Sequence, residues 1–413
     1  MNNIEVWLWI LLVMLPHNNR TAELIKRYCS ALEAARAMRD GRCDLLSEQE
    51  KKRAERTRNR DVKAIISECE QHGIRMLTLD DEEYPPLLRR IPDPPIVLFV
   101  KGTLAALREV PSVAAVGPRS PSEYGRKVTT ALCGELARNG AAIISGLAVG
   151  IDAAAHRAAI DWGGITAGVL GCGILVNYPA ENEELKNSII ENGGAIISEL
   201  LPHTTVSSSY FRYRNRIISG MAMGTLVTEA ASRSGALLTA ERTFEQGRPL
   251  FVIPPHDIFA DRFSGVFPLI RRGATVVSGA YDIAEVLYDT FREEPVFSDR
   301  LTQLKNALAP AVSQRTKPKS TTKSAVIPEN KPQPTAKTSD ETPKNSAPAK
   351  MPDTSSMSEE NAKIVNALYP KPLTMDELLE NTGLSYREAC DLLLDLELEE
   401  IVIRNQDATY SLL

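Results

Sequence analysis

The sequence predicts an α/β protein whose main domain is an extended Rossmann-like, doubly wound and mostly parallel sheet. Between residues 76 and 290, short apolar runs alternate with helical patterns of about 10–15 residues, which is typical of repeated βαβ units. The runs lack strict polar alternation, as expected for strands covered by helices on both faces. The candidate strands are Val113–Val116, Ala142–Ser145, Thr166–Leu170, Ala195–Ser198, Thr225–Thr228, Leu250–Ile253 and Thr275–Val277.

Composition bounds the class of protein. The chain has 413 residues, 43% of them hydrophobic, which suits two or three domains. The net charge of −5 does not exclude a nucleic-acid partner, because what matters is whether cations cluster on one face. The six cysteines form no CxxC pair, which favours reduced cytosolic thiols over disulfides or a zinc site. We therefore expect a cytoplasmic protein without a metal.

A small helical N-terminal domain is predicted for residues 1–75, with helices over Val6–Leu15, Thr21–Ala37 and Glu48–His72. The apolar first run is shorter than the roughly 20 residues that span a bilayer, and no basic region precedes it. We expect a buried helix and no membrane span. The third helix is strongly basic, which fits a solvated face or an auxiliary phosphate-contacting surface. Its cations include Lys51, Lys52, Arg53, Arg56, Arg58 and Arg60.

Two regions follow the core domain, which is predicted to span residues 76–295. Residues 296–356 are rich in Pro, Lys, Ser and Thr, a composition that predicts a disordered linker. Residues 357–413 again show the spacing of apolar residues that is typical of helices, and they end in two short runs that resemble strands. This pattern predicts a winged helix of three helices and a β-hairpin. Helix caps are expected at Thr374 and Ser385, each followed three residues later by a glutamate.

The charge of this last domain is unusual for a winged helix. Residues 358–413 hold 12 acidic and 4 basic residues, which disfavours contact with phosphates. A protein-binding or structural module fits this charge better than a duplex-DNA reader.

Two turns after predicted strands are suited to anion binding. After the first strand come Gly117, Arg119 and Ser120, where a glycine and a helix N-terminus bring backbone N–H groups to an anion. After the second, residues 145–150 form a tight loop that contains Ser145, Gly146 and Gly150. Further along, Asp152 is expected to cap a helix and His156 to be a structural hydrogen-bond donor. We interpret Cys172 as a small core residue.

Arginines and aromatics alternate over residues 210–216. The combination of Phe211 with Arg214, Asn215 and Arg216 offers rings on which bases stack and guanidiniums that hold phosphates. The alternative is a helix start with core aromatics and solvated arginines.

These blocks resemble the DNA-processing protein A (DprA/Smf) family. The matching segments are SGxAxGID…AH at 145–156, LGxG…YP..N at 170–182, RNRII at 214–218 and SGxLxTA at 234–240. The chain departs from the family pattern at Pro118, at Arg212 and at Pro254-Pro255, and none of these departures removes an arginine of the site.

The resemblance implies a non-catalytic protein without cofactor that binds and protects single-stranded DNA and helps load the RecA recombinase in natural transformation. It implies a homodimer, for which Phe263–Ile270 is a candidate surface, and a sterile-alpha-motif-like N-terminal domain. It places the DNA site at residues Gly117, Arg119, Ser120, Ser145, Gly146, Gly150, Phe211, Arg214, Asn215 and Arg216.

Other functions remain open at this point. The run 220–229 is similar to the glycine-rich stretch of Rossmann-like phosphoribohydrolases, with Glu229 as the would-be catalytic group. A protein-binding scaffold is a third possibility. Binding of NAD is disfavoured because the GxGxxG fingerprint is absent.

Overall fold

A computed structural model of the chain describes residues 2–16, 20–315, 359–369, 371–384, 389, 392–393, 396, 401–404 and 409–412. The chain divides into two compact units, Met1–Lys317 and Pro318–Leu413, which we describe separately. Most of the predicted linker, residues 316–358, lies outside the described residues.

Five helices open the first unit. The apolar run forms α1, in which Trp7 and Trp9 are both buried, as expected for a core helix. Each of the two longer predicted helices is divided in two. One break follows Cys29, whose φ of 60° ends a helix before Ser30 caps the next, and the other lies at Thr57. The helices are α1 Asn3–Met14, α2 Arg20–Tyr28, α3 Ala31–Arg39, α4 Glu48–Arg56 and α5 Asn59–Gln71.

The core of this unit is a nine-stranded sheet. All seven predicted strands are present, and all of them run parallel to their neighbours within that set. Two strands were not predicted: β1 and β2 form an antiparallel extension that pairs with β6. The strands are β1 Arg75–Thr78, β2 Val97–Gly102, β3 Ser112–Val116, β4 Ala142–Ser145, β5 Thr166–Val169, β6 Ala195–Ser198, β7 Gly224–Val227, β8 Leu250–Val252 and β9 Thr275–Val276.

Strand order places the switch point of the sheet. The order is β1-β2-β6-β5-β4-β3-β7-β8-β9, so the chain moves outward from β3 to β6 and then returns to pair β7 with β3. In such sheets ligands bind outside the carboxyl ends of the strands near this reversal. The Rossmann-like, doubly wound prediction is confirmed.

Helices cover both faces of the sheet. One face carries the helices over Glu123–Arg138, Ile151–Asp161 and Ala280–Phe291. The other carries those over Ser208–Met221, Gly235–Glu245 and Val266–Arg271. Strand residues such as Val113 and Ile144 are therefore fully enclosed. The helices after the first five are α6 Pro86–Arg89, α7 Glu123–Arg138, α8 Ile151–Asp161, α9 Glu183–Glu191, α10 Ser208–Met221, α11 Gly235–Glu245, α12 Val266–Arg271 and α13 Ala280–Phe291.

The predicted linker begins too early. A further helix, α14 Ser298–Arg315, continues from the sheet domain. Its apolar residues Leu301, Leu304 and Leu308 are buried in the same cluster as Leu287 of α13. The polar composition of the residues beyond them obscured this periodicity, so the core domain extends past the predicted boundary at 295.

The segment Phe263–Ile270, which the sequence offered as a candidate dimer surface, is largely covered within the chain. Phe263, Val266 and Leu269 are all buried in the hydrophobic core beneath the sheet. Their apolar character is accounted for by packing within the chain.

The second unit has the elements of a small winged helix. It contains α15 Glu359–Leu368, α16 Met375–Thr382 and an antiparallel pair, β10 Val402–Arg404 and β11 Tyr410–Leu412. Thr374 caps α16 and Glu377 completes the predicted capping box. The predicted cap at Ser385 and its partner Glu388 lie outside the described residues.

In the residues that the structure describes, no helix is long and apolar enough to cross a membrane.

Candidate nucleic-acid interface

An open cleft of about 460 Å³ lies at the carboxyl ends of β3 and β4. The turn after β3, the start of α8 and a short 3-10 helix, Ala180–Asn182, form its walls. This is the edge of a doubly wound sheet at which ligands bind. Its lining includes Arg119, Ser120, Arg126, Gly150, Arg157 and Glu181.

Two glycines allow the walls of the cleft to meet. Gly150 has a φ of +89°, and a Cβ there would lie 2.3 Å from the carbonyl oxygen of Arg119. A Cβ on Gly117 would lie 2.6 Å from Cγ1 of Ile151. The two loops are also joined by a hydrogen bond from the Ile151 N–H to the Pro118 carbonyl, at 3.2 Å. Gly117 and Gly150 are thus required by close packing, whatever ligand the cleft holds.

The cleft holds three cations and one carboxylate. Arg119, Arg126 and Arg157 are exposed. None of them lies within ion-pair distance of an acidic group in the described part of the chain. Glu181 is the acidic group among the lining residues. Cations in a concave surface reinforce each other's field, so the cleft favours an anion.

Arg126 and Arg157 were not singled out from the sequence. The signal for Arg157 was present, because Gly150, Ala153, Ala154 and Arg157 follow the i, i+3, i+4, i+7 pattern of one helix face. All four line the cleft. Arg126 lies four residues after Ser122, the N-cap of α7. The predicted site consisted mainly of loop residues, whereas Arg126 and Arg157 project from helices toward the same cleft.

Ser145 and Gly146 are buried and do not line the cleft. The Ser145 hydroxyl donates to the Ala115 carbonyl at 2.6 Å. The carboxylate of Asp152 accepts hydrogen bonds from the N–H groups of Gly146 (3.1 Å) and Ala148 (3.4 Å). Burial raises the pKa of Asp152, and nearby Arg214 with these bonds opposes that rise. Asp152 therefore stabilises the preceding loop. The prediction that it caps the helix was wrong, since Gly150 is the N-cap of α8.

Arg214 is buried under this loop. Its Nη1 donates to the carbonyls of Gly146, at 2.7 Å, and Val169. Its Nε donates to Oδ1 of Asn215 at 3.2 Å. Burial lowers the pKa of Arg214 to about 10, and Asp152 acts against that shift. Arg214 thus links the ends of two strands, Asn215 contacts Arg214, and neither residue lines the cleft.

Phe211 lies between the buried and the exposed arginines. Its half-buried ring has the guanidinium carbon of Arg214 at 5.5 Å and that of Arg119 at 5.9 Å from its centroid. The ring of Tyr178 lies 5.6 Å away, tilted by 48°. The Phe211 ring also covers Gly171, where a Cβ would lie 2.5 Å from its Cδ1. The structure therefore places Phe211 next to Arg119 and packs part of its ring against Gly171.

Arg216 faces away from the cleft. Its guanidinium binds Glu199 through Nη2 at 2.5 Å and Asp93 through Nε at 2.8 Å, and its side chain is 3% exposed. A small cavity lined by residues of α1 and the N-terminal region, including Leu11 and Thr21, adjoins this ion pair. The predicted phosphate contact of Arg216 is not supported, because the protein's own carboxylates already neutralise it.

His156 and Cys172 are structural. His156 is fully buried, with Nδ1 2.6 Å from the Thr166 hydroxyl. That hydroxyl donates to the Ile143 carbonyl, so Nδ1 carries the proton, as predicted for a structural donor. Burial lowers the pKa of His156 to about 3, so the ring is neutral. Burial also raises the pKa of the Cys172 thiol, which disfavours a reactive thiolate.

Glu229 holds the start of α7. Its buried carboxylate accepts hydrogen bonds from the N–H (3.1 Å) and the hydroxyl of Ser122 and lies 3.7 Å from Nη1 of Arg262. A second carboxylate for acid/base chemistry is not paired with it in these contacts. No cluster of His, Cys, Asp and Glu in the described ranges could hold a metal ion.

Comparison with known proteins identifies the family. The family model for "DNA recombination-mediator protein A" matches residues 75–288, and that for "DprA winged helix domain" matches residues 346–406. This chain belongs to the DprA family. The DNA processing protein DprA of Bacillus subtilis is 37% identical over 54% of this chain and 74% of its own length. The DprA of Streptococcus pneumoniae is 42% identical over 49% of this chain and 71% of its own length.

Solved structures of DprA proteins are similar to this chain. The crystal structure of Streptococcus pneumoniae DprA has a TM-score of 0.60 and 32% identity, and covers 68% of this chain and 97% of that one. A structure of the Helicobacter pylori protein, described for its single-stranded DNA binding mode, has a TM-score of 0.47 and 28% identity over 52% and 97%.

Proposed function

We propose that this DprA protein binds single-stranded DNA in the cleft, with Arg119, Arg126 and Arg157 contacting successive phosphates. The observation that carries the proposal is the set of three exposed arginines without acidic partners around one concave surface. Phosphates would supply the negative charges that pair with these guanidiniums. The names of the relatives, which concern DNA processing and recombination mediation, agree with such a ligand.

Phe211 extends the proposal from phosphates to bases. Its ring is half-buried beside Arg119, so a strand held by that arginine would bring a base within reach of the ring. Stacking on an aromatic ring contributes about 1–3 kcal/mol per base and accepts any base. A paired base inside a duplex cannot stack in this way, which favours the single strand.

The proposals about the cellular role of the protein are drawn from its membership of the DprA family. We propose that the protein acts in the cytoplasm as a homodimer, protects incoming single strands and helps load the RecA recombinase. We also propose that it is not an enzyme. Two features support this: Glu229 is engaged with Ser122 and Arg262, and His156 is buried and neutral, so neither is free for proton transfer to a substrate.

The test is fluorescence anisotropy of a labelled oligo-dT strand and a matched duplex at two salt concentrations. Each phosphate contact contributes about 0.7 to the slope of log affinity against log salt for single strands. Arg119→Ala/Arg157→Ala should therefore weaken binding and lower that slope by about 1.4. The matched control is Arg242→Ala/Arg272→Ala, which removes two arginines paired with Glu245 and Glu241.

Equal binding by the double variant and its control would contradict the cleft as the site. Release of free base from a nucleotide, abolished by Glu229→Gln, would contradict the non-catalytic proposal and favour a phosphoribohydrolase.

A further inference from the structure

Residues 51–63, which we call the basic segment, carry a charge opposite to that of the chain. They contain seven Lys and Arg and two acidic residues, whereas the whole chain has a net charge of −5. The segment covers the end of α4, the break at Thr57 and the start of α5. It lies outside the cleft, none of whose lining residues it supplies.

Two of its cations have structural partners and four do not. Lys51 pairs with Glu48 at 2.7 Å, and the Nε of Arg53 donates to the Val13 carbonyl at 2.6 Å. The remaining group is exposed and has no carboxylate within ion-pair distance in the part of the chain that the structure describes. We call these the open cations: Lys52, Arg56, Arg58 and Lys63. The seventh, Arg60, lies 3.6 Å from its neighbour Asp61 and is 87% exposed.

The open cations do little for the stability of the helices. Lys52 and Arg56 lie four residues apart on α4, where like charges repel. Arg58 is the N-cap of α5 and makes no capping hydrogen bond with its side chain. A cation at that position also opposes the helix dipole. Of the four, Arg56 gains from the dipole, since it lies in the last turn of α4.

The chemistry of the segment favours a phosphate backbone over a protein surface. Its apolar residues Ala54 and Val62 are half-buried and buried, so cations make up its exposed basic face. Protein interfaces have apolar centres and are depleted in Lys, whereas the charge of a phosphate backbone is neutralised by Lys and Arg. The segment is also fixed within the same compact unit, since the Nε of Arg53 donates to the Val13 carbonyl and Val62 is buried in the hydrophobic core.

We propose that the basic segment is a second phosphate-binding surface, which contacts a strand that continues beyond the cleft. The inference rests on the proposed function, because it takes the same nucleic acid as its ligand. A strand that fills the cleft alone would not reach the open cations, and a longer one would.

The experiment compares the full chain with two variants on a short and a long labelled strand, of about 8 and about 40 nucleotides. The first lies within the usual site sizes of about 4–16 and the second is well beyond them. The test variant is Lys52→Gln/Arg56→Gln/Arg58→Gln/Lys63→Gln. The control, Arg27→Gln/Arg36→Gln/Arg42→Gln/Arg242→Gln, removes the same charge from arginines that already have acidic partners.

On the long strand, the test variant should lose about 2.8 of the salt slope, or about 0.7 for each of four contacts. Over a fourfold rise in salt, that slope corresponds to about a 50-fold difference in affinity. The control should keep most of the slope, and binding of the short strand should be unchanged in both. The melting temperature of the test variant should equal or exceed that of the wild type.

Equal slopes for the test and control variants on the long strand would overturn the inference, and so would a melting temperature clearly below that of the wild type. Loss of binding to polyglutamate, with the long-strand slope unchanged, would replace the strand with an acidic protein. If the wild type binds the long strand but not the short one, the cleft proposal fails by itself. If it binds both with the same slope, the second surface fails by itself.

Discussion

Arg157 in the cleft and Arg216 on α10 are the same residue type in opposite surroundings. Arg216 is enclosed and holds two carboxylates, whereas Arg157 is exposed and holds none within the described residues. In the sequence, the alternating arginines and rings around Arg216 resemble a nucleic-acid motif, while Arg157 is one residue in an alanine-rich helix. The comparison teaches that the nearest acceptors, more than the local composition, decide whether an arginine serves the fold or a ligand.

The largest effect should separate these two arginines by stability. Arg216→Met removes the cation that pairs with the buried Glu199, so the free energy of unfolding should fall by about 3–5 kcal/mol. Arg157→Met should change it by less than about 0.5 kcal/mol, since the side chain is exposed. Urea denaturation followed by circular dichroism measures both. Arg216→Met/Glu199→Leu should recover part of the loss, and equal losses for the two single variants would break the comparison.

A second test concerns the loops that present the exposed arginines. Gly150→Ala and Gly140→Ala both place a side chain at a positive φ. Gly150, with a ψ of −124°, also lies outside the left-handed helical region, in which a residue other than glycine costs about 1–2 kcal/mol. Only at Gly150 would the new Cβ meet backbone atoms, since nothing lies within 4 Å of the Gly140 position. Gly150→Ala should therefore cost about 1–3 kcal/mol more and also weaken single-strand binding. Thermal unfolding and anisotropy check this, and equal behaviour of the two variants would argue against close loop contact.

The buried side of the comparison also predicts a pH dependence. The pKa of His156 is about 3 in the fold, against 6.5 in the unfolded chain. Below pH 6.5 the unfolded state binds the extra proton, so stability falls as the pH falls from about 6.5 toward 3. Between pH 7 and pH 5 the loss should be about 2 kcal/mol. Urea midpoints of wild type and His156→Gln across this range isolate the contribution, and identical slopes would contradict it.

The smallest expected effect concerns Arg126. Arg126→Ala should reduce the salt slope of single-strand binding by about 0.7 and leave the free energy of unfolding within about 0.5 kcal/mol of the wild type. The neighbouring Lys127, which pairs with Glu123 at 2.6 Å and does not line the cleft, provides the control. A slope that falls equally in Lys127→Ala would mean that general charge, and not the cleft, produces the effect.

Much of the fold was predictable because the spacing of apolar residues along the chain follows the burial of each helix or strand. The seven parallel strands were found because strands enclosed on both faces are continuous apolar runs, as in Val113–Val116. The extension β1 and β2 was missed, although Val97–Val100 is apolar, because it departs from the repeating βαβ pattern. The helix breaks at Cys29 and Thr57 were missed because no Gly or Pro marks either position.

The site was predictable in its loops and less so in its cations. Arg119, Ser120 and Gly150 line the cleft, as expected of turns at the carboxyl ends of strands. Arg214 and Arg216 were assigned to phosphates, but their partners are distant in sequence: Val169 for the one, Asp93 and Glu199 for the other. No local pattern reveals an acceptor that only the fold brings close.

The helix α14 has a practical consequence for anyone who wishes to produce the sheet domain alone. A truncation after residue 295 would discard Leu301, Leu304 and Leu308 and leave bare the apolar surface that they cover. Such a fragment would expose a hydrophobic patch to solvent and would tend to aggregate. Ending the expressed fragment after Arg315 keeps that helix in place and preserves the domain in the form described above.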